Sequence, residues 1–201
     1  MELEPIVLEN RFLRLEPLSE RRREELREAC AADADIWPTV YSFSMLGERF
    51  DATWDLMMAN ALSGRSQTYA VVAGCRCVGM TSFLDIDLRH RTVEVGGTYY
   101  RPDCRGGAVN PAAKRLILGH AFDSGMNRVQ FNVDALNARS RAAVLKLGAA
   151  QEGVLRHHRI TWTGRLRDTV VFSVLKDDWP AVRDRLDARL AAFTPSEAGA
   201  A

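Results

Sequence analysis

Between residues 68 and 134 the spacing of apolar residues changes character twice, from strand to helix and back, and those changes narrow the folds open to the chain. Thr68–Ala73, Arg76–Ile86 and Thr92–Arg101 read as strands, with Gly74 and the polar Asp87–Arg91 segment as turns, which makes an antiparallel meander. A helix over Asn110–Ser124 follows, with Ala113, Leu116, Ile117 and Ala121 on one side. Next comes a strand over Arg128–Asp134, in which Val129, Phe131 and Val133 alternate. A meander followed by strand–helix–strand implies one mixed sheet with helices on both faces. Upstream, Arg11–Leu18 alternates as a first strand and Ser19 is placed to cap a helix over Glu20–Ala31. Pro38 breaks a loop over Asp35–Leu46, and Glu48–Leu62 is a second helix. Downstream, Ala138–Leu147 is a helix closed by Gly148. Gln151–Thr161 and Arg165–Leu175 are strands around a Thr163-Gly164 turn, and Trp179–Phe193 is the last helix. The expectation is a single α/β (mixed α+β) domain over residues 1–193, with a mixed, mostly antiparallel twisted sheet. Residues 194–201 are expected to fray.

Composition removes several function classes. At 201 residues one domain is the default. Lys plus Arg is 27 against 26 for Asp plus Glu, so the broad basic field of a nucleic-acid grip is missing. No stretch approaches ~18 consecutive apolar residues, so no membrane span is expected. The start, Met1-Glu2-Leu3-Glu4, is acidic rather than apolar, so no secretory signal is expected. Cys30, Cys75, Cys77 and Cys104 hold no C-x-x-C pair, which argues against a metal site and for a reducing, cytoplasmic setting.

The chemistry concentrates between Val93 and Arg115. A strand ends at Arg101-Pro102, the turn Arg105-Gly106-Gly107-Ala108 follows, and a helix opens with Asn110 as N-cap and Pro111 as first helical residue. Glycines let a backbone approach a ligand closely, and free amides of turn and helix converge on an anion. Arg101, Arg105, Lys114 and Arg115 against Asp103 leave +3 over residues 101–115. The turn is neither a P-loop nor a G-x-G-x-x-G fingerprint. An ordinary glycine turn before a helix is the competing reading. Asn137-Ala138-Arg139-Ser140 opens the next helix, where Asn137 is an N-cap candidate.

In this order these pieces resemble the GNAT (GCN5-related) N-acetyltransferases, in a branch similar to ribosomal-protein N-terminal alanine and serine acetyltransferases. The motifs are Val93-Glu94-Val95-Gly96, Arg105 to Asn110, Asn137-x-x-Ser140, Lys146-Leu147-Gly148-Ala149 and Glu152-Gly153-Val154-Leu155-Arg156. The resemblance implies acetyl-CoA bound in a gap between two splayed parallel strands, about Thr92–Arg101 and Arg128–Asp134. Backbone groups of Tyr99, Tyr100 and Arg101 would pair with the pantetheine. Arg105, Gly106, Gly107, Ala108, Val109 and Asn110 would hold the pyrophosphate. Asn137 and Ser140 would complete the cofactor site. Ala108 stands where the family has glycine, a costly exchange if the backbone there needs φ > 0.

Transfer of an acetyl group needs a neutral amine, a proton acceptor, donors for the developing oxyanion and a proton for the departing thiolate. Glu94, a carboxylate within an apolar strand, is the candidate base, with a structural ion pair as the alternative. Val144 stands where many family members carry a tyrosine acid, and the resemblance makes Ser140, the hydroxyl left nearby, the candidate acid for the departing thiolate. The acceptor would be a protein N-terminus, a peptide or a small amine. Trp37, Tyr41, Phe43, Trp54 and Met57 would wall its site, and His157, His158 and Trp162 lie on a strand that could line it. A homodimer is common in the branch. A non-catalytic acyl-CoA sensor on the same fold is the alternative function.

Overall fold

Tyr69, Val71 and Ala73 point to one side of their strand and Ala70 and Val72 to the other, and all five are buried. A strand buried on both faces lies inside a sheet covered by helices on each side. In this computed structural model, which describes residues 3–193, that strand is third in an eight-stranded sheet. The tail expected to fray, residues 194–201, lies outside the described residues.

The strands are β1 (Leu8–Glu9), β2 (Arg14–Pro17), β3 (Gln67–Ala73), β4 (Arg76–Asp87), β5 (Thr92–Tyr100), β6 (Arg128–Asp134), β7 (Ala150–Ile160) and β8 (Leu166–Leu175). The helices are α1 (Arg23–Ala31), α2 (Ile36–Val40), α3 (Arg49–Leu62), α4 (Val109–Asp123), α5 (Ala138–Leu147) and α6 (Trp179–Ala191). The sheet runs β1-β2-β3-β4-β5-β6-β8-β7 and is antiparallel except where β5 meets β6. Residues of α1, α2 and α3 cover one face, around Trp37, Phe50 and Trp54. Residues of α4, α5 and α6 cover the other, around Ile117, Val144 and Leu186.

Three local expectations are corrected. Asp35–Leu46 is not loop throughout: α2 occupies 36–40, and Pro38 sits in its first turn, where its missing amide hydrogen would have no intrahelical partner. Ser19 precedes a short 3-10 turn, Glu20–Arg22, without a side-chain cap bond, and α1 begins only at Arg23. The helix after the glycine turn starts at Val109, because the Ala108 carbonyl already accepts from the Ala112 amide at 2.9 Å. Asn110 and Pro111 are therefore its second and third residues, not its cap and first residue.

Candidate active site

The parallel pairing of β5 with β6 lasts three residue pairs, Thr92–Arg128, Val93–Val129 and Glu94–Gln130. Both strands continue beyond it but no longer pair. One cause is visible in β5. Met80 of β4 faces Tyr99 while Ser82 faces Gly96, so β5 carries one extra residue there, and Gly97 takes φ +57°. Such a bulge bends its strand and leaves backbone groups outside the ladder. The opening holds a cavity of about 630 Å³. Glu94, Thr98 and Tyr100 wall it from β5, and Phe131, Asn132 and Asp134 from β6.

At one end lies the turn before α4. Gly106 has φ +85°, a conformation that favours glycine, and a Cβ built on Gly106 or Gly107 meets no atom within 4 Å. Both glycines face open space in the cavity wall. Ala108 has φ −73°, so alanine there carries no backbone strain and the expected cost does not arise. Arg105 is fixed from two sides. Its Nε donates to the Tyr100 carbonyl at 2.8 Å, and its Nη1 meets Asp33 Oδ2 at 2.5 Å. Its Nη2 is buried with no protein partner. Arg139, Lys146, Arg185 and Arg189 line the same cavity and add positive charge to it. A glycine-lined turn at an uncapped helix start, among cations, suits a phosphorylated ligand. Opposite it, Asn137 caps α5: its Oδ1 accepts from the Ser140 amide at 3.0 Å, as the sequence suggests.

Further along, Glu94 is 7% exposed and its Oε2 accepts from Asn132 Nδ2 at 2.5 Å. Burial pushes its carboxyl above the ordinary carboxylate range, partly offset by the Asn132 bond. Among the described residues no Arg or Lys nitrogen lies within 4.0 Å of it, and the charges of Arg159 and Arg167 act on it from farther away. Asn132 was not singled out from the sequence, since it is an ordinary alternating position of β6. Lys114 counted only as local charge, yet it is buried and its Nζ reaches Thr98 Oγ1 at 2.9 Å.

Other expected residues fall elsewhere. Tyr99, Arg101, Ala108 and Val109 are not among the cavity-lining residues. The Arg101 amide is used by the Val78 carbonyl at 2.8 Å, and the Tyr100 carbonyl by Arg105, so neither is free. Tyr41, Phe43 and Met57 do line the cavity, whereas Trp37 and Trp54 are fully buried beneath it. His157 and His158 lie on the exposed edge strand β7. Trp162 follows β7 in the turn to β8, and its indole donates to the Trp37 carbonyl at 3.1 Å. Among the described residues no three His, Cys, Asp or Glu side chains gather as a metal site, and no helix is long and apolar enough to cross a membrane.

The family model described as an acetyltransferase (GNAT) domain matches residues 13–150. The Bacillus subtilis (strain 168) protein named "Putative ribosomal N-acetyltransferase YdaF" is 30% identical over 102 residues, which is 50% of this chain and 55% of that protein. The chain thus spans about half the length of this curated relative. A crystal structure of a GCN5-related N-acetyltransferase from Brucella melitensis is 28% identical with a TM-score of 0.86, covering 97% of this chain and 94% of that one. Mycobacterium smegmatis RimJ, solved in complex with CoA-disulfide, shares the fold with a TM-score of 0.81 at 19% identity, over 94% of this chain and 97% of that one. Matched over more than half its length, and built around a parallel strand pair that opens in its middle, this chain belongs to the GNAT acetyltransferase family.

Proposed function

We propose that the chain moves the acetyl group of acetyl-CoA directly to a primary amine, on a protein N-terminus or a small molecule. One observation carries this reading. An open glycine turn at Gly106-Gly107 and a buried carboxylate at Glu94 lie in the walls of a single cavity between parting strands. RimJ, with its bound CoA-disulfide, shares the fold and supports the cofactor class.

In this reading Arg105 and the backbone of Gly106, Gly107 and Asn110 bind the pyrophosphate, Ala108 and Val109 form the buried helix start behind them, and Asn137 holds the pantetheine. Tyr100 and the bulge at Gly97 present β5 backbone to the acyl group, and Tyr99 and Arg101 keep that stretch paired to β4. Glu94 takes the proton of the attacking amine, held for the task by Asn132. Ser140 offers its hydroxyl toward the departing sulfur. The apolar wall of Tyr41, Phe43 and Met57 receives the acceptor.

Val144, without a hydroxyl where a tyrosine acid is common in the family, favours a second reading, a non-catalytic acyl-CoA sensor. We also infer a homodimer through the edge strand β7, whose Val154, Leu155 and Ile160 are exposed. A reducing cytoplasmic setting fits the four free cysteines. Thermal unfolding with acetyl-CoA, CoA, NAD and ATP in parallel tests binding. At ~100 times Kd a ligand adds about 2.7 kcal/mol, a visible rise in midpoint. Thiol release from acetyl-CoA across an amine panel then separates enzyme from sensor. Stabilisation by acetyl-CoA with no release for any amine favours the sensor, and no stabilisation at millimolar acetyl-CoA rejects both.

A further inference from the structure

The chain has 27 basic residues, of which only Lys114, Lys146 and Lys176 are lysines. One of these three is buried in the cavity wall. Lys114 projects from α4 into the opening between β5 and β6. Its Nζ is 2.9 Å from Thr98 Oγ1, 3.4 Å from Thr81 Oγ1 and 5.9 Å from the centre of the Phe131 ring. Thr98 lies with Gly97 in the bulge of β5, and Phe131 is the first residue of β6 past the last parallel pair. Thr98 is held in turn by Thr81 Oγ1 at 2.8 Å and by the Tyr41 hydroxyl, which donates to its carbonyl at 2.7 Å.

A buried ammonium normally has a carboxylate partner. Among the described residues Lys114 has none within 4.0 Å. The other titratable and charged groups that line its cavity are Tyr41 beyond α2, Glu94 and Tyr100 on β5, Arg105 before α4, Asp134 on β6, Arg139 and Lys146 on α5, Arg159 on β7, Arg167 on β8, and Arg185 and Arg189 on α6. Burial alone pulls its ammonium down to about 7. Arginine cannot release its proton in a protein, so a site needing only positive charge could have used the residue this chain employs almost everywhere else.

We propose that Lys114 is the acid that protonates the departing CoA thiolate, which rests on the acetyl-transfer reading above. As the amine nitrogen bonds to the acyl carbon, the carbon–sulfur bond breaks and its electron pair stays on sulfur. Lys114 Nζ gives that sulfur its proton, leaving CoA thiol and a neutral amine. Glu94 releases the proton taken from the acceptor to solvent, and Lys114 regains one from solvent, so charge and atoms balance. Burial brings the acidity of the Lys114 ammonium, pulled down to about 7, into the range of a free thiol near ~8.5, where an ordinary lysine is a far weaker acid. The Ser140 hydroxyl is a weaker acid than that thiol and orients the sulfur without supplying the proton. Lys114 thereby takes over the task left open by Val144.

Two measurements decide it. With lysine side chains isotopically labelled, NMR titration of the whole protein follows three lysines. One signal is expected to titrate near neutrality and to vanish in Lys114→Arg; three ordinary lysine titrations overturn the proposal. In steady state, Lys114→Met and Lys114→Arg are both expected to lower kcat on the order of 100-fold. CoA affinity, read by thermal shift, stays within about threefold and shows that both variants fold. Lys114→Arg turning over like wild type means that charge alone suffices and overturns the acid role, while leaving acetyl transfer intact. A wild-type chain that neither binds acetyl-CoA nor releases thiol from it rejects the underlying reading instead.

Discussion

Glu94 and Asn132 meet at 2.5 Å across the point where β5 and β6 stop pairing. The bond ties together the strands that part beyond it, and it sets the carboxylate's basicity. Burial raises the Glu94 pKa and the amide of Asn132 lowers it. Asn132→Ala removes the lowering contribution. The acidic limb of the kcat/KM profile should move to higher pH, with the loss largest below neutrality and smallest above it. An unmoved limb separates Glu94 from the titrating base.

The same burial couples catalysis to stability. A carboxyl whose folded pKa lies above its unfolded value favours the fold while protonated, and that contribution is lost as pH rises from about 4.5 upward. Glu94→Gln keeps the shape and removes the charge. It should lower kcat by about 10²–10⁴-fold while raising Tm at neutral pH, a trade common at functional sites. Chemical denaturation at pH 7 and at pH 4.5 checks the sign, with the variant's advantage shrinking at the lower pH.

Much of this was legible in the residues. Arg128–Asp134 and Ala138–Leu147 form as read, because alternation and a capped, glycine-closed helix are local signals. Gly148 indeed takes φ +108° at the end of α5. The start of α4 differs from the expectation because Asn110-Pro111 fits either the cap and first helical position or the second and third positions, and only the Ala108–Ala112 bond selects. α2 was hidden by Pro38. The opening between β5 and β6 depends on where pairing stops, a non-local property with no single-strand signature. Lys114, Thr98 and Phe131 come from three elements, so their meeting could not be read from spacing.

Gly107 offers a variant that separates binding from folding. Its backbone lies outside the left-handed region, and a Cβ there meets nothing. Gly107→Val projects a side chain into the space proposed for phosphate. The midpoint without ligand should shift little, and the rise with acetyl-CoA should disappear. A full rise in this variant moves the pyrophosphate elsewhere.

Asn137 carries two roles that can be divided. Asn137→Ala loses the bond to the Ser140 amide and should cost about 1 kcal/mol of stability together with cofactor affinity. Asn137→Asp keeps an accepting oxygen at the cap but has no amide hydrogens to donate to pantetheine. Near-native stability in buffer with weakened stabilisation by acetyl-CoA is the expected outcome. Equal affinity of Asn137→Asp and wild type assigns Asn137 to capping alone.

Acid sensitivity should begin at the far edge of the sheet. Glu152 of β7 accepts from Arg128 Nη1 of β6 at 2.6 Å and from Ser173 Oγ of β8 at 2.8 Å, and Arg128 Nη2 contacts its other oxygen. The Arg128 bonds, more than Ser173, hold its carboxyl down to about 2. A depressed folded pKa means stability that is present above the ordinary value of 4.5 and is lost as pH falls from there toward about 2. Glu152 is partly exposed, so solvent and salt screen the interaction and the effect shrinks at high ionic strength. Glu152→Gln keeps hydrogen-bonding groups and drops the charge. It should lower Tm at pH 7 and flatten the fall in Tm between pH 5 and pH 3, and the two curves should converge at the acid end. Parallel curves over that range would place the acid-sensitive carboxylate elsewhere, with Glu16, held low by its bond to buried Arg22, as the next to replace.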